Sequence, residues 1–218
     1  ISLLGRGPTT SITVQPVRSR TAGSARSFFT RKTVHDRVVA MAFPTNEELT
    51  RLAEPVVARY GMDIENLGTV RSGKKSRVDI AVDSDSRPTL DDLEEVSNEL
   101  SQLFDEAEER GELNFGPGYT LELTTPGVEM PLMKPRHFRR NRGRVIALGE
   151  GKERQLWRIG PMDAAEEQVA LVQANKKGEH VRVLPVSELA GAVVEIEFNA
   201  PPAEEVALAD TTFEELNK

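Results

Sequence analysis

Residues 77–104 read RVDIAVDSDSRPTLDDLEEVSNELSQLF, and this stretch decides the fold class. Val78, Ile80 and Val82 alternate with Arg77, Asp79 and Asp83, the period of two expected of a half-buried strand. At Thr89 the period changes. Leu90, Leu93, Val96, Leu100, Leu103 and Ala107 recur every three to four residues with Phe104 beside them, an apolar stripe along a helix. Thr89 with Asp92 three residues on predicts a variant capping box at its start, and Gly111 predicts its end. Tyr119, Leu121 and Leu123 alternate again, which predicts another strand.

Towards the N-terminus, Thr45-Asn46-Glu47-Glu48 forms a capping box ahead of Leu49, Leu52, Ala53, Val56 and Tyr60 on one helical face. Pro55 interrupts that helix, but the period continues past it, so a kink is expected and not a stop. Gly61 ends it. Met62–Arg71 makes a weaker strand, and Ser72-Gly73-Lys74-Lys75 reads as a hairpin turn into the strand at Arg77. The order α-β-β-α-β over residues 42–132 predicts an α/β sandwich with helices on one sheet face.

Towards the C-terminus the signals shorten. Runs at 143–148, 154–160, 167–174, 179–185 and 191–198 are punctuated by Gly149-Glu150-Gly151, Gly160-Pro161 and Lys177-Gly178. Five short strands with tight turns over residues 133–199 predict a small closed barrel, since closure removes exposed sheet edges. Residues 200–218 open with Ala-Pro-Pro and turn acidic, which reads as a flexible acidic tail with at most one short helix. The expected class is therefore α+β.

Composition narrows the function. With no cysteine, disulfides, thiolate metal sites and Cys nucleophiles are excluded. His35, His137 and His180 are too far apart in sequence to suggest a metal site, and no cofactor is implied. No apolar run reaches the ~20 residues of a membrane span. Residues 1–41 carry seven bases against one acid, Asp36, so that the rest of the chain carries −13 of the net −7. This Ser-, Thr- and Arg-rich arm shows no apolar period and is expected to be disordered and outside the fold. It is open to three readings: an upstream mis-extension before Met41, an organellar transit peptide, or a basic arm touching RNA. The acidic remainder argues against a general nucleic-acid binder and confines any such contact to a local patch.

Four features invite a chemical reading. Gly68 to Lys75 has the glycine and lysine spacing of a phosphate loop, but Lys75 stands where a magnesium-ligating hydroxyl belongs and an alternating strand follows in place of a helix. Asp83, Asp85, Asp91 and Asp92 lack the glycine and terminal Glu of a calcium loop, and the last two suit the first turn of a helix. Ten acids lie between Asp91 and Glu112 with Arg110 as the only base, either a solvated face or a landing surface for a basic protein. Of these, Asp92, Glu95, Glu99, Asp105 and Glu106 are the candidates for protein contact. Finally, residues 134–144 hold six bases and no acid: Lys134, Arg136, Arg139, Arg140, Arg142 and Arg144, with His137 among them. They either cap carbonyls and pair with acids or contact phosphates, and the local concentration in an acidic body favours phosphate.

Leu121-Glu-Leu-Thr-Thr-Pro-Gly-Val-Glu-Met-Pro-Leu132, then His137-Phe138-Arg139-Arg140 and Gly143-Arg144, resembles the RimP family of bacterial ribosome maturation factors. Val78-Asp79-Ile80 and the helix from Leu93 to Leu103 extend the likeness, which covers residues 42 to about 199. Met130 departs from it, standing where the family usually has arginine. The resemblance implies a non-catalytic, cytoplasmic factor that binds the immature small ribosomal subunit and assists late assembly. It also implies an α/β domain followed by an SH3-like, Sm-like barrel. On that basis the 134–144 cluster is expected to hold ribosomal RNA and the acidic helix or the barrel to engage a basic ribosomal protein, with the chain acting as a monomer. The rival expectations are a general RNA-binding regulator using the Sm-like barrel, whose lone Trp157 gives little for base stacking, and an enzyme, for which no nucleophile–base pair is evident.

Overall fold

The computed structural model describes residues 11–14, 43–72, 75–149, 151–173 and 180–217. They fall into two compact units, one ending at Pro126 and the other beginning at Gly127. The division precedes the expected boundary at 132–133 because Leu132 already belongs to the second unit. Its N–H donates to the Ala192 carbonyl at 2.8 Å, its carbonyl accepts from Gly191 at 2.9 Å, and its side chain is buried in that unit's core.

The first unit contains strand β1 (Ser11–Val14), helix α1 (Asn46–Arg59), strands β2 (Asp63–Ser72) and β3 (Lys75–Asp83), helix α2 (Leu90–Glu109) and strand β4 (Tyr119–Thr124). Both capping boxes form. The Glu48 N–H donates to Thr45 Oγ1 at 3.2 Å and the Thr45 N–H to Glu48 Oε2 at 2.9 Å; Asp92 and Thr89 repeat the exchange at 3.2 and 2.8 Å. Helix α1 runs through Pro55, as its unbroken period requires. Gly61 and Gly111 follow the two helices at φ of +67° and +71°, a left-handed conformation that glycine adopts without a Cβ penalty.

The sheet order is β1-β4-β3-β2, with β3 and β4 parallel and joined through α2. Val78, Ile80 and Val82 of β3 and Leu121 and Leu123 of β4 share one buried cluster with Leu49, Ala53, Val56 and Val57 of α1 and Leu93, Val96, Leu100 and Phe104 of α2. The intervening positions are ionic: Arg77 pairs with Asp79 at 2.7 Å and with Glu122 at 3.2 Å. Phe115 and Tyr119 stack at 4.1 Å between centroids, with Phe43 edge-on to Phe115 at 5.8 Å. The weak strand signal of β2 has a specific cause. A bulge between Ile64 and Asn66 inserts Glu65, so Ile64 and Leu67 both pack on the core although they lie three apart. Ser72 pairs with Lys75 across the hairpin, and its tip, Gly73 and Lys74, lies outside the described residues.

One correction concerns the arm. Ser11–Val14, expected to lie outside the fold, pairs antiparallel with β4 as an edge strand, and Ile12 packs on the core. β4 otherwise has only β3 beside it, and a four-residue run with three β-branched residues, Ile12, Thr13 and Val14, has the propensity to complete its ladder. Residues 1–10 and 15–42 lie outside the described residues.

The second unit begins with helix α3 (Pro135–Arg140), followed by strands β5 (Val145–Leu148), β6 (Gln155–Met162), β7 (Gln168–Val172) and β8 (Val181–Pro185). Helix α4 (Val186–Leu189) and strand β9 (Val194–Glu195) come next. The antiparallel sheet has the order β8-β7-β6-β5-β9 around a core of Phe138, Ile146, Trp157, Ile159, Val169 and Leu171. The expected closure is not seen: among the described residues β8 and β9 form the two edges and do not pair. β9 is shorter than the run at 191–198 suggested, since only Val194 and Glu195 find partners on β5. The expected turn at Lys177-Gly178 lies outside the described residues.

Where a flexible tail with at most one short helix was expected, the chain forms two, α5 (Ala203–Asp210) and α6 (Phe213–Leu216). Both pack against β6 and β7, and Ala209 and Phe213 are buried. Two small apolar anchors in an acidic segment were too sparse to show as a period.

Candidate functional site: the basic helix of the second unit

Helix α3 starts at Pro135, whose fixed φ and missing N–H suit the first helical position, with Lys134 as the capping residue. Phe138 is fully buried and fixes the helix to the core. His137 is buried too. Its Nδ1 accepts from the Met133 N–H at 3.0 Å, and its carbonyl accepts from Asn141 Nδ2 at 2.7 Å. The histidine therefore holds the helix in place and is not a surface group.

The bases divide by what they touch. Lys134 and Arg139 are exposed; Arg136, Arg140 and Arg144 are half-buried. Arg139 forms an ion pair with Glu166 in the turn between β6 and β7. Arg142 is committed differently. Its Nε donates to the Ala209 carbonyl and its Nη2 to the Thr211 carbonyl, both at 2.8 Å, so it caps the C-terminal end of α5. Seven candidates thus fall on one short helix and the turn after it. Within that group His137 is withdrawn into the core and Arg142 braces the C-terminal segment.

One charged residue of this region escaped the sequence reading. Arg158 on β6 is 1% exposed. It makes a bidentate bond to Glu197 at 2.9 and 2.7 Å, donates to Glu205 at 3.2 and 2.9 Å, and donates to the Gly143 carbonyl at 2.8 Å. Burial disfavours its charge, but the hydrogen bonds and charges of Glu197 and Glu205 outweigh burial and raise its pKa. The only sequence signal was a base inside the apolar run around Trp157 and Ile159; its partners lie about forty residues away.

The acidic candidates on α2 are likewise partly occupied. Asp92 closes the capping box, and the hydrogen bonds from the Thr89 side chain and backbone hold its carboxyl below the usual range. Glu99 accepts from Tyr60 at 3.1 Å and pairs with Arg59. Asp105 accepts from the Tyr119 hydroxyl at 3.0 Å; burial first, then the Asp105 charge, pushes that phenol's pKa up. Glu106 accepts from Gln102 at 3.0 Å and lies 3.8 Å from Arg110. Glu95 is exposed. Of the five candidates, Glu95 and Glu106 belong to the outer face, and the other three help to hold the unit together.

No group of three or more His, Asp or Glu side chains suited to a metal occurs among the described residues, and no described helix is long and apolar enough to cross a membrane. Trp157 is buried at 1% exposure beneath Arg182, whose guanidinium sits 4.9 Å from the ring centroid. Phe198, at 92%, is the exposed aromatic ring of the second unit among the described residues.

The chain thus comprises two α+β units, one bearing an acidic helix and the other a base-rich helix. Residues 52–129 match the model of the RimP N-terminal domain. The chain is 48% identical over 177 residues to the ribosome maturation factor RimP of Corynebacterium aurimucosum, covering 80% of this chain and 94% of that protein. It is 47% identical over 175 residues to that of Corynebacterium diphtheriae, covering 80% and 95%, and 40% identical over 188 residues to that of Corynebacterium kroppenstedtii, covering 81% and 100%. The chain belongs to the ribosome maturation factor RimP family.

Proposed function

We propose that this chain binds the immature small ribosomal subunit in the cytoplasm and assists its maturation as a monomeric, non-catalytic factor. The observation that carries this reading is the near full-length similarity to proteins named ribosome maturation factor RimP. In this reading the first unit is a two-layer α/β sandwich and the second a five-stranded antiparallel sheet of SH3-like, Sm-like kind that is open between β8 and β9. Lys134, Arg136, Arg139 and Arg140 contact ribosomal RNA phosphates, because clustered bases on an otherwise acidic body gain affinity by releasing counterions. The outer face of α2, with Glu95 and Glu106, meets a basic ribosomal protein, whose approach the complementary field accelerates.

The test is small-subunit binding by Arg139→Gln/Arg140→Gln across a salt series. Each lost phosphate contact lowers the slope of log affinity against log salt by roughly 0.7 to 0.9. An unchanged affinity and slope would remove the RNA contact from the proposal. The alternative of a general RNA-binding regulator is favoured only by Phe198, since Trp157 is buried. It predicts tight binding to free single-stranded RNA that falls on Phe198→Ala.

A further inference from the structure

We infer that the C-terminal α5–α6 segment is a displaceable acidic cover over a second phosphate-binding surface, built from Arg142 and Arg158. This rests on the reading that the second unit binds RNA. Residues 203–217 hold five acids, Glu204, Glu205, Asp210, Glu214 and Glu215, and no base. Helix α5 lays both of its ends on arginines. Glu205, in its first turn, accepts from Arg158, and the Ala209 and Thr211 carbonyls at its far end accept from Arg142. These acceptors are the kind a phosphate offers: an anionic oxygen that takes two N–H groups of one guanidinium at one end and the negative end of a helix dipole at the other.

The two arginines share one neighbourhood. Arg158 donates to the carbonyl of Gly143, the residue after Arg142. Both adjoin the basic helix, so removing the cover frees the Arg142 guanidinium of its carbonyl acceptors and opens the Nε side of Arg158, which keeps Glu197 as its counter-charge. The attachment is small: Ala209 and Phe213 are its buried apolar anchors, and Asn199-Ala200-Pro201-Pro202 joins it to the sheet. Glu197 lies before that joint and remains to neutralise Arg158 when the cover is open or shut. Phosphate and the acidic segment therefore compete for the same donors, and the coupling is reciprocal: RNA loosens the cover, and loosening the cover tightens RNA.

The test uses the full chain, a fluorescein-labelled 20-nucleotide single-stranded RNA of 16S-type sequence, and amide hydrogen exchange over residues 203–216. Ala209→Gln and Phe213→Ser undock the segment without changing net charge, and Glu205→Gln weakens its grip on Arg158 with minimal change in shape. Undocking is expected to accelerate exchange at 203–216, raise RNA affinity several-fold, and steepen the salt slope by about 0.7 through Arg142, the arginine left without a counter-charge. RNA added to the unaltered chain is expected to accelerate exchange in the same segment. Faster exchange in the variants with unchanged RNA affinity would overturn the inference and make the segment a structural brace. So would a slower or unaltered exchange of the unaltered chain on saturation with RNA. If neither the unaltered chain nor any variant binds this RNA, the inference is overturned; if none of them binds ribosomal subunits either, the RNA reading of the second unit fails with it.

Discussion

Replacing Arg158 by Met is the most exacting perturbation of the second unit's stability. The guanidinium is 1% exposed and holds two carboxylates and a backbone carbonyl. Removing one partner of a buried ion pair costs about 3–5 kcal/mol, because the remaining charge stays desolvated. Here the stranded carboxylates keep partial access to water, at 30% for Glu197 and 14% for Glu205, so we expect about 2–4 kcal/mol. With a urea dependence of about 1–2 kcal/mol per molar for a unit of this size, the midpoint falls by roughly 2 M. Trp157 is the only tryptophan and lies in this unit's core, so its fluorescence follows the second unit without contribution from the first. Adding Glu205→Gln to Arg158→Met should recover part of the loss, because one stranded charge is removed; the cycle isolates the pair. A midpoint unmoved by Arg158→Met, or strictly additive losses in the double variant, would refute the reasoning that these charges hold α5 in place.

Other outcomes follow from single contacts. A Cβ at Gly160 would lie 2.8 Å from the Ala170 carbonyl oxygen on the neighbouring strand, so Gly160→Ala should cost about 1–3 kcal/mol by overpacking; an unchanged urea midpoint by Trp157 fluorescence would contradict this. Thr89→Ala removes the cap of α2 and should cost about 1 kcal/mol at neutral pH, read from the first unit's unfolding by far-ultraviolet circular dichroism. Because Asp92 titrates below its ordinary value in the folded chain, the unfolded chain binds more protons there, and its stabilisation is present above that ordinary value and lost as pH falls through the lowered one. The deficit of Thr89→Ala should therefore shrink on acidification from pH 7 towards pH 3, and a constant or growing deficit would contradict the coupling.

The architecture was legible where one period and one cap agreed. Thr45 with Glu48 and Thr89 with Asp92 placed both helices, and the alternation in β3 and β4 placed the sheet's centre. Reading became harder where the determinant lay far away in sequence. Ser11–Val14 is too short to announce itself, and only the free edge of β4 makes it a strand. Closure of the second sheet was inferred from strand count, but strand count does not decide whether the two edge strands meet. Helix α5 carries no strong apolar face and owes its position to Ala209, Phe213 and two distant arginines.

The candidate site shows the same limit. Local base density pointed to α3, yet His137 was indistinguishable in sequence from a surface histidine until its Nδ1 partner, the Met133 N–H, was in place. Arg142 belonged to the same basic run, but its acceptors lie in α5 and just beyond it. Acid density likewise could not separate Asp105, fixed by Tyr119, from Glu95 on the open face of α2. Charge density along the chain shows where a surface potential arises; it does not show which charges are already spent inside the fold.

The most direct test of the central claim is co-sedimentation of the full chain with purified small and large ribosomal subunits at low and moderate salt. Enrichment on small subunits alone, weakening as salt rises, is the expected result. Equal binding to both subunits, or no binding to either, would contradict it.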